Sequence, residues 1–92
     1  MNERRSKISI LGDILRTIQR KEGKAKPTHI LYGANLSHDR LKEYLQKLML
    51  DGFIEKVDEN GHVYYKITEK GLNFLSEFRK IQKFSDAFGI EI

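Results

Sequence analysis

The stretch PTHILYGANLSHDRLKEYLQKLMLDGFIE, residues 27–55, decides the fold of this chain. Its pattern predicts a short helix, a tight turn, a longer amphipathic helix and the start of a strand. In the longer helix, Leu41, Leu45 and Leu48 recur three and four residues apart, so they line one face that must be buried. The opposite face is polar and must meet water or a ligand.

Capping and termination signals at both ends of the longer helix predict that it covers residues 37–50. Ser37 precedes the first turn, where its hydroxyl can accept a hydrogen bond from a free backbone N–H. Gly52 follows the last turn and can adopt the left-handed conformation that ends many helices. Leu50 lies about opposite Leu41, so it either tucks under the following strand or marks a contact with another protein.

A helix and a connector precede this stretch. Residues 6–22 carry apolar side chains at helical intervals, and extra isoleucines make the apolar face wide enough to contact more than one neighbour. Gly23 ends that helix, and residues 24–26 form a short basic connector. Pro27, whose φ suits a first helical turn, then starts a helix that ends at residue 33 or 34.

A hairpin and a final helix follow the longer helix. Residues 53–57 and 63–67 are β-prone runs, and the Asn-Gly pair at 60–61 is a strong hairpin signal because both residues tolerate positive φ. Thr68 can cap the final helix, which we expect over residues 69–88.

The final helix carries two apolar faces. One holds two leucines, and the other follows the four-three-four-three spacing of a coiled-coil seam, broken by Ser85. The second set either packs on the wide face of the first helix or forms a homodimer interface. We expect the homodimer, because a small core gains from added buried area. The expected interface comprises Phe74, Phe78, Ile81, Phe84 and Phe88.

Length and composition indicate one domain over residues 1–92 that begins with a polar arm, residues 1–6. The chain has no cysteine, and its three histidines are too scattered to suggest a zinc site. No apolar run approaches the roughly 20 residues that span a bilayer, and no signal-peptide core follows the basic start. No nucleophile arrangement or glycine-rich phosphate cradle is present either. We therefore expect a cytoplasmic protein without enzymatic activity, metal or cofactor.

The net charge of +4 is unevenly distributed along the chain. Residues 1–26 hold eight basic and three acidic side chains, a surplus of five, so the remainder is net −1. Such a surplus favours an anionic partner, because the summed field raises encounter rates with polyanions. For a charge run taken alone, a solvated, charge-rich surface is the simpler interpretation.

The order of these elements resembles that of winged helix-turn-helix domains: mainly α with a small β-hairpin, α-α-α-β-β-α, and a C-terminal dimerisation helix. Residues 30–55 and the segment YKITEKG, residues 65–71, look like the small archaeal winged-helix proteins of about ten kilodaltons that associate with the chromosome. Those proteins dimerise through a C-terminal helix. The resemblance implies a dimeric, nucleoid-associated protein that binds double-stranded DNA and either regulates transcription or organises the chromosome.

By this resemblance, the helix at residues 37–50 enters the major groove and the hairpin at 57–63 lies against the backbone. Arginine and glutamine are the natural base readers because each presents paired contacts, whereas lysine and serine more often hold phosphates. The candidate DNA-binding residues are Ser37, His38, Arg40, Lys42, Gln46 and Lys47 on the helix, and Lys56, Asn60 and His62 on the wing.

Two other functions stay open at this point. Residues 27–52 are net neutral, which favours a winged-helix module that contacts another protein without binding DNA. One of their acids, Glu43, is spaced to form an i, i+4 pair with Lys47. RNA binding is a weaker alternative, because only Tyr64 on the wing offers a surface on which a base can stack.

Overall fold

The computed structural model describes residues 5–91, so most of the predicted polar arm lies outside the described residues. Within this range the four predicted helices and the hairpin are confirmed. In chain order the elements are α1 (Lys7–Arg20), β1 (Lys24–Ala25), α2 (Pro27–Ala34), α3 (His38–Leu50), β2 (Ile54–Glu59), β3 (His62–Ile67) and α4 (Glu69–Phe88).

The strand β1 corrects the sequence interpretation, which treated residues 24–26 as a connector. It pairs antiparallel with β3, so the sheet has three strands in the order β1-β3-β2. The backbone N–H of Ile67 also donates to the carbonyl of Gly23 at 2.9 Å. A strand of two residues has no alternating pattern to detect, and only the side chain of Ala25, which is buried, holds it against the core.

Side-chain caps start the helices where the sequence predicted them. The hydroxyl of Ser37 accepts from the backbone N–H of Arg40 at 3.3 Å, and that of Thr68 accepts from Gly71 at 3.1 Å. Thr68 also donates to the carbonyl of Gly52 at 2.7 Å, which joins the end of α3 to the start of α4. At the hairpin tip, Asn60 has φ 53° and the next glycine φ 82°, as the Asn-Gly pair predicted.

The wide apolar face of α1 is the centre of the core. Ile14, Leu15 and Ile18 are completely buried, and this face contacts α2, β1, β3 and α4, as its width predicted. From α3, the three leucines of the opening stretch are buried too, and β3 adds the inward-facing Tyr65 and Ile67.

The structure corrects the expected dimer interface at Phe78. This side chain is only 2% exposed, so it belongs to the core of its own chain and is not available to a partner. Its ring fills the space that Gly12 leaves on α1, where an added Cβ would lie 2.4 Å from Phe78 Cε2. Phe74 is half-buried, with its ring centroid 5.0 Å from that of Phe53.

Beyond Phe78 the same side of α4 is uncovered. Ile81, Phe84 and Phe88 are exposed, and the rings of the two phenylalanines lie 4.8 Å apart, centroid to centroid. Leu50, at the end of α3, is 84% exposed, so it does not tuck under β2.

We predict that Gly71→Ala destabilises the protein by about 2–3 kcal/mol, because overpacking a well-filled site costs in this range. The new Cβ would lie 2.3 Å from the backbone oxygen of Phe53, which cannot move as a flexible side chain could. Urea unfolding followed by circular dichroism measures the effect. Ser76→Ala, at an exposed position of the same helix, should change the free energy of unfolding by less than about 0.5 kcal/mol. Equal stability of the two variants would contradict this packing.

Candidate nucleic-acid interface

The exposed surface of α3 has an acidic and apolar centre with cations on both sides. Because each residue turns the helix by about 100°, the stripe opposite the buried leucines consists of Asp39, Glu43, Gln46 and Leu50. His38 and Lys42 lie on the flank that faces the sheet, and Arg40 and Lys47 lie on the other flank. The predicted helix residues are therefore split between two rows. All of them, Ser37 included, are exposed.

The two cations on the far flank are held close to their own helix. The guanidinium carbon of Arg40 lies 6.0 Å from the centroid of the Tyr44 ring. Lys47 Nζ lies 3.3 Å from Asp51 Oδ2, so its partner is this acid at the end of the helix and not the predicted Glu43. A cation at a helix C-terminus also interacts favourably with the helix dipole. Both side chains must leave these contacts to reach a ligand.

On the near flank, Lys42 forms no ion pair with any of the described residues. It and His38 line a groove whose opposite wall includes Tyr65 of β3. The wing contributes Lys56, which is the direct cross-strand partner of Tyr65 and therefore lies on the same face of the sheet. The structure thus brings Lys42 and Lys56, predicted from distant parts of the chain, to one side of α3.

The other two wing residues do not join this group. Asn60 lies at the tip of the hairpin, where its role is to adopt the left-handed backbone of the turn. His62 is two residues from Tyr64 and opposite Glu59, so it lies on the face of the sheet that points away from α3. Of the three predicted wing residues, the structure therefore brings only Lys56 to the α3 side of the sheet.

Lys24, which lies on β1 beside the wing, is a residue that the sequence analysis missed. Pairing of β1 with β3 places its ammonium group 2.8 Å from Glu59 Oε1 and 4.8 Å above the centroid of the Tyr64 ring. The hydrogen bond to Glu59 is the main cause that raises the pKa of Lys24 above its ordinary value. No local signal could identify this residue, because β1 itself was not predicted. The contact offsets part of the acidity of the wing.

Part of the basic N-terminal surplus is also neutralised. Arg5 Nη1 donates to Asp13 Oδ2 at 2.9 Å, and Arg16 forms an ion pair with the same carboxylate. Arg5 also donates to the backbone oxygen of Asn35 at 3.1 Å, which attaches the arm beside the turn between α2 and α3. The described part of the arm therefore links α1 to the turn between α2 and α3, in addition to carrying positive charge.

The described residues contain no cluster of histidine and acidic side chains that could hold a metal ion. Among the same residues, no helix is long and apolar enough to cross a membrane.

Two of the solved structures whose fold matches this one are described as DNA-binding proteins. Sso10a-2, described as a DNA-binding protein from Sulfolobus solfataricus, is 30% identical with a TM-score of 0.81, and the match covers 91% of this chain and 85% of that one. F93 from STIV, described as a winged-helix DNA-binding protein, is 15% identical with a TM-score of 0.74, over 87% of this chain and 92% of that one. At this identity F93 supports the fold alone.

Sequence comparison finds two uncharacterized proteins of Methanocaldococcus jannaschii. One is 32% identical over 85% of this chain and 74% of its own length. The other is 33% identical over 85% of this chain but only 34% of its own length, so this chain spans about a third of that relative. Residues 4–86 match the winged helix-turn-helix family. The chain therefore belongs to the winged helix-turn-helix family.

Proposed function

We propose that this protein binds double-stranded DNA as a homodimer, with α3 in the major groove and the wing against the backbone. The observation that carries the proposal is the pair of rows of hydrogen-bond donors on α3, His38 with Lys42 and Arg40 with Lys47. A helix with its side chains is about 10–12 Å across, close to the ~12 Å width of the major groove. Two rows on opposite flanks would therefore each face one phosphate backbone.

The acidic centre of α3 limits how the bases are read. Asp39 lies in the first turn, where a negative charge interacts favourably with the helix dipole, so its role is structural. Gln46 lies on the outward stripe and can present paired contacts to adenine. Arg40 must first leave the ring of Tyr44 before it can contact a base. Phosphate contacts would therefore supply most of the affinity, and Gln46 most of the base selection.

The similarity to Sso10a-2 supports this proposal independently, since it spans nearly the whole of both chains at 30% identity. We place the protein among regulators of transcription or chromosome-organising proteins, associated with the nucleoid and without enzymatic activity. Binding to successive major grooves, about 34 Å apart, would let a dimer combine two modest sites into one stronger one.

The proposed dimer interface is the exposed end of α4. Ile81, Phe84 and Phe88 continue the apolar side of the helix past the point where Phe78 enters the core. Phe84 is 53% and Phe88 68% exposed, and both would be buried against α4 of a second copy. We leave Phe78 out of the proposed seam because it is buried in its own chain, and Phe74 because it is half-buried and its ring already contacts Phe53.

A second function is favoured by one observation. The outward stripe of α3 places the acids Asp39 and Glu43 in line with Leu50, which is 84% exposed. This combination suits contact with another protein better than contact with DNA, so a winged-helix interaction module is the alternative.

Duplex-DNA binding measured against salt concentration tests the main proposal. We expect affinity to fall steeply as salt rises, because each phosphate contact releases counterions. Lys42→Ala should weaken binding to all DNA sequences. It should also make the slope of log affinity against log salt concentration shallower by about one per binding site. Lys80→Ala is the matched control, because Lys80 lies on α4 and is paired with Glu77. It should leave the affinity and the slope unchanged. Absence of DNA binding at low salt would contradict the proposal and leave the interaction module.

Base selection can be tested on a sequence enriched from random DNA. Gln46→Ala should weaken binding to the enriched sequence by about 1–3 kcal/mol and to random DNA by much less, because it removes a base contact. Arg40→Ala tests the second candidate reader in the same assay. If both variants lose affinity equally on the two DNAs, α3 does not read bases.

The oligomeric state can be measured by light scattering at micromolar protein concentration. We expect the unaltered protein to be a dimer and Phe84→Glu to be a monomer, because the new carboxylate would be buried in the interface. Leu72→Glu, at an exposed site nearer the start of α4, should stay dimeric. A monomeric unaltered protein would contradict the proposed interface.

A further inference from the structure

A groove of about 390 Å³ runs along the flank of α3 that faces the sheet. This volume falls in the roughly 300–1,000 Å³ range of small-molecule sites. Its floor is apolar and comprises Pro27, Leu41, Leu45, Met49 and Tyr65. Leu41, Leu45 and Tyr65 are part of the buried core, so the floor is set by the fold and not by mobile surface side chains.

The rim of the groove is polar and carries one lysine, one carboxylate, one histidine and one glutamine. His38, Lys42 and Gln46 follow one another at four-residue intervals along α3, and Asp39 is the acid beside them. Lys42 has no ion-pair partner among the described residues, so its ammonium group is available to an anion. Beyond the residues that line the groove, Lys56 and Asp58 lie on the same face of the sheet and offset each other in charge.

The combination of floor and rim specifies the chemistry of a ligand. A flat aromatic body would bury its apolar surface against Leu45, Met49 and the ring of Tyr65. A carboxylate at its edge would accept a charge-assisted hydrogen bond from Lys42, and Gln46 could hold a further polar substituent.

A larger groove, about 690 Å³, lies on the other face of the sheet and does not fit such a ligand. Its walls carry three carboxylates, Glu22, Glu55 and Glu59, beside two lysines. Because carboxylates outnumber lysines there and Lys24 is already bound to Glu59, the carboxylate of a ligand would meet net negative charge.

We propose that the groove between α3 and the sheet binds a planar aromatic carboxylate, and that the bound ligand keeps DNA away from α3. The second part rests on the proposed DNA-binding function. The physical reason for exclusion is shared contacts: His38, Lys42 and Gln46 line the groove and are also the near-flank and outward residues that would face DNA. One side chain cannot hold the ligand and a phosphate at the same time.

Titration with 1-naphthoate, followed by ¹H–¹⁵N NMR on the full chain without DNA, tests the binding site. We expect saturable shifts of backbone amides in α3 and around Tyr65, with a dissociation constant below about 1 mM for a ligand of this size. The uncharged analogue 1-naphthalenemethanol should bind at least about tenfold more weakly, because it lacks the carboxylate.

Two lysine variants on the same helix locate the carboxylate. Lys42→Gln should weaken naphthoate binding about tenfold, whereas Lys47→Gln, on the opposite flank, should leave it unchanged. Both positions are exposed, so the fold should survive, and the NMR spectra report this directly. Equal affinity for the acid and the alcohol, equal affinity of the two variants, no saturation at several millimolar, or shifts confined to the larger groove would each overturn the proposed site.

Competition with DNA tests the second part. Saturating 1-naphthoate should lower the affinity of the unaltered protein for duplex DNA at least tenfold, and 1-naphthalenemethanol at the same concentration should have little effect. DNA affinity that is unchanged by saturating naphthoate would overturn the exclusion. If the protein binds no DNA at all, the proposed function fails and the exclusion with it, while the NMR titration still decides whether the groove is a ligand site.

Discussion

The apolar face of α1 is the constraint on which the other elements depend. Ile14, Leu15 and Ile18 have no exposed surface, and the face they form contacts α2, α4 and two strands at once. Burying a side chain of this type stabilises the fold by about 1.5–3 kcal/mol relative to leaving it in water. A chain of 92 residues has little other core to draw on. α1 therefore holds α2, α4 and β3 directly, and α3 is positioned in turn by its contacts with α2 and β2.

The same packing decides what is left uncovered. Because Gly12 has no side chain, the Phe78 ring packs directly against the backbone of α1. This contact fixes the first half of α4 against the rest of the domain. The second half extends beyond the core with its apolar side in water, which gives the proposed dimer a surface. The groove beside α3 is also a surface that packing leaves uncovered. Tyr65 and Pro27 lie next to the helix but do not fill the space below the polar rim of the groove.

Charge in this protein is used as much for internal structure as for a partner. Asp13 holds two arginines, Lys24 offsets Glu59 on the wing, and Lys47 is paired at the end of its own helix. Among the described residues near α3, Lys42 is a cation without an ion-pair partner, and it lies beside the groove on the side of the helix proposed to face DNA. A modest affinity for each protomer, combined in a dimer, agrees better with this distribution than a strong single site.

The sequence by itself determined the helices, the hairpin and their order, because capping residues, the Asn-Gly turn and apolar periodicity act between residues that are close in the chain. It also identified the exposed residues of α3, since helical geometry alone separates that face from the leucines. Only the tertiary structure decided the strand β1, the contact of Lys24 with the wing, the burial of Phe78 and the groove below Lys42. Each of these depends on surfaces that meet only after folding: Phe78 has a place because Gly12 is small, and Lys24 reaches Glu59 because β1 pairs with β3.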